Sequence, residues 1–190
     1  MVVFKKILDF YINSSLHVAL SAFALVSMTQ YFFGVQGDFS VAVFTFFGTV
    51  VGYNFVKYDA IARLNKTEIK KELKAIVFLS FISLLACFYF FWQLSWMSKI
   101  SAFIFFGLTL LYTLPFFPNK QNARNWKGVK IYIVGITWVG VTVILPLVEA
   151  EITFSKYVFL MALQRFLLIS SMVFVFDIVD VKQGDIHLQT

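Results

Sequence analysis

Long apolar stretches dominate the chain, and short polar segments separate them. Roughly 20 helical residues cross the ~30 Å hydrocarbon core of a bilayer. Six stretches reach that length, near residues 14–33, 39–58, 75–94, 97–117, 129–148 and 157–177. Polar residues between Asp9 and His17 interrupt the apolar run that a cleaved signal sequence needs, so we expect an uncleaved first helix. The pattern predicts an all-α, polytopic transmembrane helical bundle of about six spans, with residues 1–190 forming a single domain.

Composition indicates the same class of protein. Hydrophobic residues make up 60% of the chain and charged residues only 14%, whereas about a quarter of a typical soluble domain is charged. The 25 Phe residues suit lipid contact and helix interfaces and imply no particular chemistry. With one cysteine, Cys87, neither an intramolecular disulfide nor a cysteine-based metal site can form.

The basic residues are distributed unequally between the two sides of the predicted membrane. Only Lys99 and Lys156 lie on one side, and Arg165 lies within a span. The other side carries thirteen: Lys5, Lys6, Lys57, Arg63, Lys66, Lys70, Lys71, Lys74, Lys120, Arg124, Lys127, Lys130 and Lys182. The positive-inside rule therefore predicts that both termini and both long loops are cytoplasmic. Because this charge reflects membrane topology, we expect membrane lipid and no nucleic acid as a partner of the net +6 chain.

Two aspartates follow the sixth span at its predicted cytoplasmic end. Asp177 and Asp180 are three residues apart, so a helix places them on one face. Mg²⁺ prefers oxygen ligands and typically joins one or two carboxylates to substrate phosphates. The alternative is that these acids do no more than meet water. However, acids disfavour a helix C-terminus electrostatically, and acids at a membrane boundary are functional candidates, so we favour a metal site.

The end of the second span carries a further polar segment. Asn54 lies within the apolar run, where a buried amide needs hydrogen-bond partners. Asp59 and Arg63 are four residues apart, and the simplest interpretation of this spacing is an i,i+4 ion pair.

The fourth span ends at two prolines, Pro115 and Pro118, which prevent the helix from continuing. Lys120 and Arg124 follow them, and each can give charge-assisted hydrogen bonds to a diphosphate. Ordinary positive-inside charge explains this loop equally well.

Together, these segments resemble the UbiA superfamily of membrane prenyltransferases, most closely the branch that prenylates dihydroxynaphthoate and its bacterial relatives. The second acidic motif of that family is D-x-x-D-x-x-x-D. Asp177 and Asp180 match its first two acids, and Asp185 lies one residue beyond the third. Tyr112, Pro115 and Lys120 resemble the family's Y-x-x-P…K stretch.

The first motif of the family, N-D-x-x-D-x-x-x-D, is only partly matched. Asn54 corresponds to its Asn, but the three acids fall on Phe55, Tyr58 and Ala62. The family has two Mg²⁺ sites, and the resemblance therefore supports only one of them here.

The resemblance implies a transferase in a bacterial inner membrane. Such an enzyme moves an isoprenyl group from a prenyl diphosphate to an aromatic or other lipophilic acceptor. By the same resemblance we expect Asp177, Asp180 and Asn54 to be catalytic, and Asp177, Asp180 and Asp185 to hold Mg²⁺. The residues expected to bind the diphosphate are Lys120, Arg124, Lys57, Arg63 and Tyr112. The alternative is a non-catalytic membrane protein, either a decayed relative or a binding or transport component.

The family's bundle has about nine helices, so this chain resembles the first two thirds of the fold. Arg165 lies about a third of the way into the sixth span from the outside, where an Arg normally pairs within the bundle. No acidic residue in the other spans is an obvious partner, and a structural and a functional role are equally open. If helices are missing, we expect Arg165 to lie on the surface that they would cover.

Overall fold

The computed structural model describes residues 2–35, 39–64, 71–114 and 128–188; the side chains of residues 2, 3, 59–64, 71, 72, 177 and 179–188 are outside this description. These ranges are helical and contain no strand. The α-helices are α1 (Val2–Asn13), α2 (Leu16–Phe32), α3 (Ser40–Leu64), α4 (Lys71–Gln93), α5 (Trp96–Thr113), α6 (Val129–Val139), α7 (Leu145–Glu149) and α8 (Lys156–Leu188). Within the described ranges, five helical stretches are long and apolar enough to cross a membrane, and α1 with α2 makes a sixth if that bent pair is one span. The predicted all-α bundle is thus confirmed.

Four helix ends differ from the predicted bounds by four residues or more, and one of them is the start of α4 at Lys71 instead of residue 75. The helix α3 continues beyond residue 58 to Leu64, and α8 continues beyond residue 177 to Leu188. In contrast, α5 ends at Thr113, and Leu114 is extended with φ −86° and ψ 145°. Leu114 precedes Pro115, whose ring disfavours helical geometry in the preceding residue.

The chain bends by 62° between α1 and α2. Ser15 produces the bend, because its φ of 60° and ψ of 17° place it in the left-handed region that L-residues rarely adopt. The prediction of one first span missed α1 as a separate helix. The side chains of Phe4, Ile7 and Ile12 on α1 are exposed, as expected of a helix that meets lipid rather than a protein core.

The fifth predicted span is broken by a π-helical turn, Gly140–Ile144, between α6 and α7. Pro146 explains the break. Proline has no N–H, and its ring clashes with the carbonyl four residues earlier, here that of Thr142. The backbone hydrogen bonds therefore shift from four to five residues apart, and the Leu145 N–H donates to the Gly140 carbonyl. The freed Thr142 carbonyl accepts a hydrogen bond from Thr29 Oγ1 on α2 at 2.8 Å.

Close helix packing surrounds this turn. A Cβ on Gly140 would overlap the Phe105 ring of α5, and one on Gly135 would lie 2.7 Å from the Phe166 ring of α8. Only glycine permits helices to approach this closely, as is common at membrane helix interfaces. An apolar core beside the turn joins α2, α3, α4, α5 and α7; its buried members are Val26, Val41, Ala42, Leu94, Ala102 and Leu145.

Arg165 lies inside the bundle, not on the uncovered surface predicted for it. Its side chain is only 1% exposed, and its Nη2 donates to Thr29 Oγ1 at 3.4 Å. The expectation was wrong because it assumed that the six spans leave this face of α8 open. Instead, α2 and the π-helical turn cover it.

Candidate functional site

The turn between α1 and α2 lies against the last part of α3. The Tyr58 hydroxyl donates to the Asn13 carbonyl at 2.8 Å. Lys57 Nζ donates to the same carbonyl at 3.3 Å and to Asn13 Oδ1 at 3.4 Å. We call this end of the bundle, where α3 and α8 have their carboxyl termini, the basic end. Lys57 is thus held at the basic end, and its role in diphosphate binding stays a prediction.

Asn54 is buried where α3 packs on α4, about one helical turn before Tyr58. Its Nδ2 donates to Ser80 Oγ at 2.9 Å, and the Ser80 hydroxyl donates to the Ile76 carbonyl at 2.9 Å. The expectation that a buried amide finds a partner is confirmed for this nitrogen. Among the described residues, however, Asn54 Oδ1 accepts no hydrogen bond. That oxygen is therefore buried without a protein donor in the described part of the chain.

The α3 positions that correspond to the acids of the first family motif do not suit a metal ion. Tyr58 uses its hydroxyl on Asn13, and Phe55 is 42% exposed and apolar. In the part of the chain that the structure describes, no group of three His, Cys, Asp or Glu side chains lies close enough to hold a metal. Among the described α3 side chains at the motif positions, two carry an oxygen, Asn54 and Tyr58. The Tyr58 oxygen has a hydrogen bond to Asn13, whereas Asn54 Oδ1 has none.

Aromatic rings connect α3 to α8 through α6. Tyr53 and Trp138 meet edge to face with centroids 6.3 Å apart. Nearer the start of α6, Tyr132 stacks on Phe166 of α8 with ring centroids 6.2 Å apart. The α6 helix thus lies between the two helices that carry the motif residues. Tyr112, at the end of α5, is half-buried and has a polar or ring partner.

The position of these contacts gives the relative depth of the candidate residues. Gly135 of α6 faces Phe166 and Ser170 of α8. Asp177 is seven residues beyond Ser170, roughly 10 Å along the helix at 1.5 Å per residue. Trp138 lies farther from the basic end than Gly135 does. The Tyr53 ring contacts the Trp138 ring, so Tyr53 and the adjacent Asn54 lie at about the depth of Trp138. The helices therefore place Asn54 deeper in the bundle than the position of Asp177 on α8.

The α8 backbone is an unbroken helix through all three predicted metal ligands, although their side chains lie outside the described set. Helical register keeps Asp177 and Asp180 on one face, and turns Asp185 away from Asp180 by roughly 140°. Lys120 and Arg124, and the side chain of Arg63, also lie outside the described residues. Their predicted contacts with a diphosphate therefore stay predictions.

Three partners of the candidate site were not identified from the sequence: Ser80, Asn13 and Trp138. Each belongs to a helix other than α3, and a lone Ser or Trp within an apolar run carries no specific signal. Comparison of the chain with models of known families, with curated proteins and with solved structures gave no match.

Proposed function

We propose that this protein binds an isoprenyl diphosphate at the basic end and transfers the isoprenyl group to a lipophilic acceptor, as UbiA-like prenyltransferases do. The observation that carries the proposal is the unbroken α8 helix. A helical backbone across residues 177–180 keeps Asp177 and Asp180 on one face, at the end of a span of membrane length. Two carboxylates so close repel each other without a cation, and this favours a bound divalent metal.

The difference in depth between Asp177 on α8 and the Asn54 amide on α3 suits an elongated ligand. A diphosphate held at the end of α8 lies near the aqueous boundary, where its charge is solvated. Its isoprenyl chain would then extend into the bundle, toward the Tyr53, Trp138 and Phe166 rings that connect α3, α6 and α8. Aromatic faces stabilise a passing positive charge, which suits the allylic cation formed when diphosphate departs. The free Asn54 Oδ1 lies at the depth of this chain.

We assign one Mg²⁺ to this site, on α8. The α3 residues fit poorly, since they offer an amide oxygen where the related family has carboxylates. Bound at Asp177 and Asp180, the metal would neutralise charge on the leaving diphosphate. The proposed diphosphate contacts are Lys120, Arg124, Lys57, Arg63 and Tyr112. Asp185 lies on a different helix face and would contact the metal only through water.

Replacement of both α8 acids tests the proposal. The purified protein in detergent should bind farnesyl diphosphate more than tenfold more tightly with Mg²⁺ than with EDTA, measured by isothermal titration calorimetry. The double variant Asp177→Asn/Asp180→Asn should lose this difference, because amides do not balance the metal charge. Asp9→Asn is the matched control, since it removes an exposed α1 carboxylate elsewhere and should retain the difference. Unchanged Mg²⁺ dependence in the double variant would show that the site is misassigned.

A non-catalytic binding protein is the second candidate, and the α3 side chains favour it. Phe55 and Tyr58 stand where a catalytic pair of metal sites would require acids, and Tyr58 has a structural hydrogen bond to Asn13. The two functions differ in turnover. Release of inorganic diphosphate from farnesyl diphosphate, in the presence of Mg²⁺ and a membrane lipid extract, supports the transferase. Binding with no release supports the binding protein.

A further inference from the structure

Arg165 is a charged group whose charge no described residue balances. Only one of its three guanidinium nitrogens, Nη2, has partners: Thr29 Oγ1 at 3.4 Å and Met161 Sδ at 4.0 Å. Nε and Nη1 are buried and have no hydrogen-bond partner in the described part of the chain. Buried polar groups are nearly always hydrogen-bonded, and buried charges are normally paired. Nε and Nη1 therefore remain as two buried donor nitrogens that a bound anion could satisfy.

The position of Arg165 increases the need for a partner. It lies nine residues after the start of α8, roughly 13 Å along a helix that rises 1.5 Å per residue. The apolar span runs from Lys156 to Phe176, so Arg165 lies well within the span, somewhat less than halfway from its first residue. Ionisable groups at this depth face the bundle interior and mark binding sites or relays.

Thr29 holds the guanidinium in place but does not neutralise it. A threonine hydroxyl has one proton to donate, and the Thr142 carbonyl freed by Pro146 lies 2.8 Å from it. Thr29 Oγ1 therefore offers Arg165 only a lone pair. The π-helical turn that creates this arrangement is of a type frequently found at functional sites. The sequence thus builds a fixed guanidinium with two unused donor nitrogens.

A cavity of about 450 Å³ opens at the end of the bundle opposite the basic end. Phe33 and Ile152 line it and also pack on a buried apolar cluster, Val143, Leu147 and Val158. Met161 packs on the same cluster and contacts Arg165. Apolar side chains thus lie between the cavity and the guanidinium. Glu149 also lines the cavity, but its carboxylate accepts hydrogen bonds from the Ser95 N–H at 3.0 and 3.2 Å.

We propose that Arg165 binds a carboxylate, whose oxygens accept hydrogen bonds from Nε and Nη1. A carboxylate carries one negative charge and neutralises the guanidinium, whereas a phosphate with more than one charge would leave excess charge in an apolar interior. The carboxylate belongs either to a small free acid or to the head group of a lipophilic acid whose tail contacts the apolar cluster. This site is independent of the proposed diphosphate site, because it lies on the other half of α8.

Thermal unfolding in detergent, followed by tryptophan fluorescence, tests the proposal. Octanoate, below its micellar concentration, should raise the unfolding midpoint of the native protein by about 2–4 °C, since a ligand that binds the folded state stabilises it. Sodium sulfate keeps the ionic strength constant. Octanamide has the same tail without the charge and should give no shift, so this comparison requires no variant. A second experiment uses acetate in place of octanoate. If both acids raise the unfolding midpoint at similar concentrations, the natural ligand is a small free acid. If only octanoate raises it, the ligand is a lipophilic acid.

Two variants connect the shift to this side chain. Arg165→Met removes the charge and retains a long apolar side chain, so the shift with carboxylates should be lost. Lys99→Met removes one positive charge from a partly exposed site on α5 and should keep the shift in full. Should Arg165→Met fail to fold, Arg165→Lys, with fewer donors in a different geometry, should show a reduced shift. The proposal is overturned if neither acid shifts the native protein, if octanamide shifts it as much as octanoate, or if Arg165→Met retains the shift.

Discussion

At the scale of single residues, the hydroxyl of Thr29 joins three helical segments that are far apart in sequence. It donates to the Thr142 carbonyl in the π-helical turn and accepts from Arg165 of α8. The same oxygen is also 3.0 Å from the Leu25 carbonyl of its own helix. Its removal leaves a buried carbonyl and a buried guanidinium nitrogen without their protein partner, which is more costly than the loss of an ordinary exposed hydrogen bond.

We therefore expect Thr29→Val to lower the free energy of unfolding by about 1–3 kcal/mol, the cost of unsatisfied buried polar groups. Thr49→Val is the control. Its hydroxyl donates to the Thr45 carbonyl of the same helix at 2.7 Å, a local bond whose loss should change stability by less than about 0.5 kcal/mol. Unfolding of both variants by SDS titration provides the measurement. Equal losses would show that the contacts of Thr29 with Thr142 and Arg165 contribute nothing.

The sequence identified which residues need partners, but not the partners. Asn54 and Arg165 stood out because amides and guanidinium groups are costly in lipid. Their partners, Ser80 and Thr29, are hydroxyl residues, which occur throughout these spans and bond to their own helix in most cases. The sequence does carry one signal of such a partner, since Pro146 frees the carbonyl of Thr142, which then needs a donor from another helix.

At the scale of helices, α5 and the π-helical turn approach so closely that there is no room for a side chain at position 140. The Phe105 ring occupies the space where a Cβ on Gly140 would lie. Hydropathy predicted a span at residues 129–148, and the structure has helix there. The break within it depends on one proline and on packing against α2, and a hydropathy average detects neither.

Gly140→Ala should lower the free energy of unfolding by about 1–3 kcal/mol, because the methyl group overlaps the Phe105 ring and overpacking displaces neighbours. Gly107 on α5 provides the comparison, since a Cβ there meets no atom within 4 Å. Gly107→Ala should be neutral or stabilising by up to about 1 kcal/mol, because alanine favours a helix more than glycine does. SDS-induced unfolding distinguishes the two. If Gly140→Ala matches Gly107→Ala in stability, Phe105 moves aside at no cost and does not fix the distance between α5 and the π-helical turn.

At the scale of the whole molecule, the order of the membrane-length helical stretches followed from the length of the apolar runs alone. That result holds because a span needs a fixed length of apolar helix, whichever neighbours it has. The bend at Ser15 was not predicted, since it rests on one residue in the left-handed region. The relation between α3 and α8 also needed the structure, because α6 comes between them through ring contacts that no local pattern specifies.

The direction of the bundle in the membrane remains a prediction from the lysine and arginine distribution. Thirteen of the 16 Lys and Arg residues lie on the side that we assign to the cytoplasm. The structure supplies two exposed positions at opposite ends, Asp9 on α1 and Thr153 between α7 and α8. In a Cys87→Ala background, single cysteines at these positions should react with a membrane-impermeant maleimide from opposite sides of intact cells. Thr153→Cys should label from outside and Asp9→Cys only after the membrane is permeabilised. If both cysteines label from the same side, the chain crosses the membrane an even number of times between them. If the two sides are exchanged, the basic end, with Asp177 and Asp180, faces away from the cytoplasm.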